Sequence, residues 1–192
     1  MASPYCKNKG GKGPTSRKRG RIRLITVRAR PANRLQGLIV IAGTVYPCAL
    51  GRGGIVTLKR EGDGGTPLAL MRLLAGYFVR RRMRPPRLLP MHETGPALGW
   101  CEVPDDRNYN RPVRMPYPAS HETMLRPDGL YDACLVLDWN IRPRRRNAGS
   151  AIFFHLARPG LTPTEGCIAV SRAVMTRLLP HLSDRTIVRV VR

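Results

Sequence analysis

Acidic residues are scarce in this chain: 12 Asp and Glu stand against 34 Lys and Arg among 192 residues, a formal charge of +22. The N-terminal stretch CKNKGGKGPTSRKRGRIR contains none. Such a surplus implies an anionic partner (nucleic acid, an anionic membrane face or an anionic polymer) or else a solvated basic surface. Aromatic residues are also sparse, at 3 Phe, 6 Tyr and 2 Trp, which leaves little to stack on bases. With no recognisable nucleic-acid motif, a nucleic-acid-binding module is the weaker reading. The five cysteines, Cys6, Cys48, Cys101, Cys134 and Cys167, form no Cys-x-x-Cys pair and show no metal-ligand spacing. Neither a metal nor a cofactor is therefore expected. No apolar run is long enough to span a bilayer comfortably; LQGLIVIAGTVYPCAL is β-branched around a central Gly-Thr and reads as strand, turn, strand. The basic start is followed by LITVRARP in place of an apolar core, so no secretory signal is expected. There is no internal repeat.

What remains is enough for one domain with its own core. Residues 1–20, dominated by Gly and Lys, are expected to form a disordered basic arm, and residues 21–192 the folded domain. IRLITVRA, GLIVIAG, TVYPCALG and GIVTLKR read as a meander of antiparallel strands. Residues 80–127 are crowded with Pro and Arg, which predicts irregular surface structure. β character returns in LYDACLVLDWN and GSAIFFHLA. SRAVMTRLLPHL has helical spacing, with Ser171 as its cap and Pro180 at its end, and RTIVRVVR is a final strand.

The chemistry centres on SAIFFHLARPGLTPTEGCIAV. Cys167 follows Gly166, which permits a tight turn, and precedes the predicted helix, whose N-terminal potential favours a thiolate. Backbone N–H groups at such a turn can hold an oxyanion. His155 ends an apolar strand, and a short loop separates it from Cys167, so thiol and imidazole are expected within hydrogen-bond reach.

These residues resemble the signature of the YkuD-type L,D-transpeptidases: a His, a loop, then Ser or Thr, His, Gly, Cys. His155, Thr164, Gly166 and Cys167 match it. CALGRGG and KREGDGGTP resemble the family's N-terminal strands and Thr-Pro turn, with Thr66 and Pro67 in place, and GWCEVPDDRNYNRPVRMPYPASHE resembles a block of a short subgroup. The resemblance covers about residues 22–192. Glu165 departs from the pattern, standing where the family has His, and so does Ala169, standing where many members have Asn or Arg.

The resemblance implies a mainly β fold, a mixed YkuD-like β-sandwich or sheet with one helix after the cysteine. It implies Cys167 as nucleophile, His155 as proton shuttle and the Gly166 backbone at the oxyanion. His121 is a further active-site candidate. Arg111, Arg126, Tyr109, Asn110 and Thr164 are candidates for substrate binding, since stem peptides carry carboxylates that Arg side chains clamp. Asp106 belongs to the same block, while His92 and His181 read as structural or exposed. The implied partner is the peptidoglycan stem peptide, joined at diaminopimelate by a 1,3 or 3,3 link, in the periplasm or cell envelope. The basic arm could hold the enzyme near anionic envelope polymers or phospholipid. Hydrolysis of the same acyl-enzyme, as a carboxypeptidase or endopeptidase, is the alternative.

Overall fold

In LITVRAR, apolar and polar residues alternate, and this makes β1 (Leu24–Arg30): Ile25 and Val27 are fully buried while Arg28 is exposed. β2 (Asn33–Ile41) and β3 (Thr44–Ala49) continue it as the expected antiparallel meander, with Ala42 and Gly43 in the second turn. β4 (Ile55–Val56) leaves the meander and pairs in parallel with β5 (Thr66–Pro67). The structure, a computed structural model, describes residues 20–192. The expected arm lies outside the described residues except for Gly20, and Cys6 lies outside them too.

The remaining strands are β6 (Leu70–Phe78), β7 (Met91–Glu93), β8 (Leu98–Cys101), β9 (Pro112–Arg114), β10 (His121–Thr123), β11 (Ala133–Leu137), β12 (Phe153–Leu156), β13 (Ile168–Val170) and β14 (Ile187–Val191). The helix α1 (Arg172–Leu178) is capped by Ser171, whose hydroxyl accepts the Val174 N–H at 3.3 Å, and Pro180 sits in the short 3-10 turn that follows. The fold is mainly β with one α-helix among the described residues.

Strand order runs β11-β12-β13-β3-β2-β1-β14-β6, and β6 also pairs with β11, so these eight strands close into a ring. The sheet is mixed: β1–β14, β12–β13 and β6–β7 are parallel and the rest antiparallel. The interior is filled by inward residues of every strand, among them Ile25, Ile39, Met71, Leu135, Phe154 and Ile168, with Met175 and Leu178 of α1 packed on them. Each such side chain contributes roughly 1.5–3 kcal/mol by leaving water.

Two expectations need correction. Residues 80–127 are not wholly irregular: β10, β8 and β9 form a separate small antiparallel sheet. Its Trp100, together with Met124, packs on Phe153, Val136 and Cys134, on the outer side of the ring. The Pro- and Arg-rich excursion thus covers β11–β13 from outside. Nor does Cys167 sit at the helix start, because β13 and Ser171 intervene.

Candidate active site

Alternation along β12 decides which side chains meet. Phe154 and Leu156 face the ring interior, while Phe153 packs in the outer cluster with Cys167. His155 shares the outer parity. It pairs with Cys134 on one side and Ala169 on the other. His155, Ala169 and Cys167 line one cavity of about 380 Å³, together with Tyr131, Glu122 and Arg126. Ser150, Ala151, Arg158, Thr164, Glu165, Glu61 and Glu102 are also among its walls.

The turn that presents Cys167 is fixed locally. Thr164 Oγ1 donates to the Cys167 carbonyl at 2.7 Å and accepts the Gly166 N–H at 3.2 Å. Gly166 has φ +130, and a Cβ there would meet Gly65 O at 2.8 Å, so no side chain fits this position. The Cys167 thiol donates to Ala151 O at 3.1 Å and its sulfur accepts the Phe153 N–H at 3.3 Å.

No hydrogen bond joins Cys167 to His155. The His155 Nδ1 lies 2.8 Å from Leu156 O; a carbonyl only accepts, so Nδ1 carries the proton and Nε2 is left as an acceptor. Tyr131 stands edge-on to the imidazole, centroids 5.1 Å apart, and holds its plane.

Burial sets the protonation states. It pushes the Cys167 thiol up to about 12 against the opposing pull of the Phe153 N–H. It drives His155 down to about 4, although the Leu156 carbonyl pulls the other way. The resting pair is therefore a thiol and a neutral imidazole. The expectation of a thiolate favoured by the helix end is corrected: the helix begins beyond β13, and desolvation dominates.

Among the binding candidates, Arg126 lines the cavity but is engaged, with Glu122 at 2.7 Å, Asp128 at 2.7 Å and the Tyr131 ring 5.2 Å from its Cζ. It holds Asp128 down to about 2, whereas burial raises Glu122. Asn110 is buried behind the cavity: its Oδ1 accepts from Trp100 Nε1 and from Ala151 N, both at 3.0 Å, and its Nδ2 donates to the carbonyls of Trp139 and Asn140. Tyr109, also buried, donates its hydroxyl to Glu61 and so acts through that wall residue. Thr164 is part of the turn and lines the cavity.

Arg111 is exposed and outside the cavity, so its expected contact with substrate has no geometric basis here. His121 is also outside it, with Nδ1 on Ala119 O at 2.7 Å and its ring against Tyr117. Asp106 accepts from Tyr117 and the Asn108 N–H, and neither His92 nor His181 lines the cavity. Sequence reasoning missed Glu122, Tyr131, Arg158 and the Ser150–Ala151 segment. Strand parity was the available signal for Glu122: next to His121 on β10, it takes the opposite face.

Glu165 is exposed and pairs with Arg52 at 2.6 Å. Among the described residues no group of His, Cys, Asp and Glu could hold a metal ion, and no helix is long and apolar enough to cross a membrane.

Compared with known proteins, residues 28–190 match the family model of YkuD, the L,D-transpeptidase catalytic domain. No curated protein and no solved structure matches the chain.

Proposed function

Because the chain belongs to the YkuD family of L,D-transpeptidase catalytic domains, we propose that it crosslinks peptidoglycan stem peptides by acyl transfer through Cys167, with His155 carrying the proton. The observation that carries this reading is the opening of both side chains into one cavity, with His155 Nε2 free of its proton.

Substrate displaces water from the cavity and the thiol turns from Ala151 O toward His155 Nε2. As the proton passes to Nε2, sulfur attacks the amide carbonyl on the L centre of diaminopimelate, and the Phe153 N–H steadies the anionic sulfur. The N–H of Gly166 becomes an oxyanion donor by leaving Thr164 Oγ1, a long bond at 3.2 Å. The C–N bond breaks, the Nε2 proton goes to the departing amine, and a thioester remains. An amine of a second stem attacks that thioester and gives its proton to Nε2; the new amide C–N bond forms as the C–S bond breaks, and the Nε2 proton passes to the departing sulfur, restoring the thiol.

Arg158, exposed at the rim with its side chain 53% accessible and tied only by a long 3.6 Å pair to Asp128, is the cation placed to meet a stem carboxylate, since Arg126 is held by two acids at 2.7 Å. The substrate places the enzyme in the periplasm or cell envelope.

Mass spectrometry of muropeptides incubated with the protein tests the proposal. Dimers whose fragmentation shows a 1,3 or 3,3 link are expected, absent with Cys167→Ala. Shortened stems without dimers would assign hydrolysis instead, and no product with either protein would remove the reading.

A further inference from the structure

The ring has a second outer face, and it differs in character from the one that carries the cavity. Counted either way round the order, β1 lies four strands from β12, so the face centred on β1 and β14 is opposite the cavity strands. Register and burial assign its outward residues. Val45, Val40, Thr26, Arg189 and Leu70 form one row across β3, β2, β1, β14 and β6. Leu24, Ile187 and Arg72 form the next row, with Leu74 beyond it; Arg28 lies beyond the first row on its other side.

Large apolar side chains are left in water here: Leu70 is 69% exposed and Val45 50%, with Leu24 and Leu74 exposed beside them. Among the described residues, four of the five exposed large hydrophobics lie on this one face. No Asp or Glu occurs on β1, β2, β3, β6 or β14, nor anywhere in residues 1–60. Acids occur only at its edges: Asp138 accepts the backbone N–H of Arg72, and Asp184 lies in the turn before β14. Four of the acids, Glu61, Glu102, Glu122 and Glu165, line the cavity across the ring. The strands of this face thus carry arginines and leucines and no acid of their own, while four acids gather at the cavity across the ring.

We infer that the β3-β2-β1-β14-β6 face docks on the surface of an anionic phospholipid bilayer, with its leucines and Val45 at the headgroup–acyl boundary and Arg28, Arg72 and Arg189 on lipid phosphates. Arginine complements the anionic headgroups, and the exposed aliphatic side chains gain by leaving water. A second copy of this chain does not suit the face, because two-fold pairing would set arginines against arginines with no acid between them. Nucleic acid would use the arginines but gain nothing from Leu70 and Val45. Docked this way, the cavity faces away from the lipid.

The test is co-sedimentation of the full chain with vesicles of phosphatidylcholine alone or with about 30% phosphatidylglycerol. Binding is expected only to the anionic vesicles. Leu70→Ser with Val45→Ser, which leaves the charge intact, should weaken it about tenfold. Arg28→Gln with Arg189→Gln should weaken it by about fivefold per arginine. Arg142→Gln with Arg145→Gln, on the loop between β11 and β12, should change it less than about twofold. All substituted side chains are exposed or half-exposed, and a thermal melt checks that each variant folds. Equal loss from the loop arginines, or none from the Leu70 and Val45 pair, overturns the proposal. So does binding to duplex DNA that needs Arg28 and Arg189 and is tighter than vesicle binding. Turnover of soluble muropeptides is unaffected by these face variants, so the outcome is independent of the catalytic reading.

Discussion

Asn110 governs Ala151: its Oδ1 accepts the Ala151 N–H at 3.0 Å, and the carbonyl of that same Ala151 takes the Cys167 thiol proton at 3.1 Å. A residue of the Pro- and Arg-rich excursion thereby sets the rest position of the Cys167 thiol on the ring. Asn110 itself has φ +54, a conformation that Asn tolerates better than most residues.

Asn110→Ala would leave Trp100 Nε1 and the Ala151 N–H without their acceptor. A loss of about 2–3 kcal/mol in unfolding free energy is expected from denaturant titration. Measured well below its melting temperature, the variant should also acylate about tenfold or more slowly, with KM less affected. Unchanged kcat in the folded variant would reduce Asn110 to a scaffold residue.

His155 makes stability depend on pH. Its folded value, about 4, lies below the ordinary 6.5 of the unfolded chain, so in that window the unfolded state binds the proton and the folded state does not. Acidification from pH 6.5 to 4 therefore removes stability, by roughly 3 kcal/mol from this group. Urea titrations of the wild type and of His155→Gln across that window should show a steeper acid loss in the wild type. Parallel curves would mean that the imidazole is not held neutral.

Cys167, raised to about 12, is expected to alkylate slowly at neutral pH, behind a solvent-exposed thiol. Its rate with iodoacetamide should still be climbing at about pH 10, and His155→Gln should leave that climb in place. Peptide mapping at a series of pH values reads this directly. A plateau below about pH 8 would indicate a preformed thiolate–imidazolium pair, which the burial of both groups opposes.

Arg52 and Glu165 are exposed, with side chains 58% and 76% accessible. Glu165→Gln should cost less than about 1 kcal/mol in a thermal or urea melt. A larger loss would show that the pair anchors the cysteine turn.

How far the sequence could be read depended on the range of the interaction. The meander, α1 with its Ser171 cap and the last strand follow from alternation, helical spacing and a local hydrogen bond. Cys167 and His155, singled out by motif, both line the cavity, and Gly166 forms the tight turn that precedes the cysteine. His121, a candidate site residue by sequence, lies outside the cavity, because strand parity inside a Pro-rich segment turns the neighbouring Glu122 to it instead. The thiol's protonation state was out of reach, because it depends on Trp100, Met124 and Tyr131 arriving from distant positions to exclude water.

Along β12 two separate jobs are interleaved at a spacing of one residue: Phe154 and Leu156 fill the interior, and His155 serves the cavity. Deleting a single residue ahead of this strand would exchange the two sets, driving the imidazole into hydrocarbon and a phenyl ring into the cavity. The segment from Ala151 to Leu156 is thus constrained in length more tightly than in letters. A genetic screen here should recover substitutions such as Leu156→Met and no single-codon insertions or deletions.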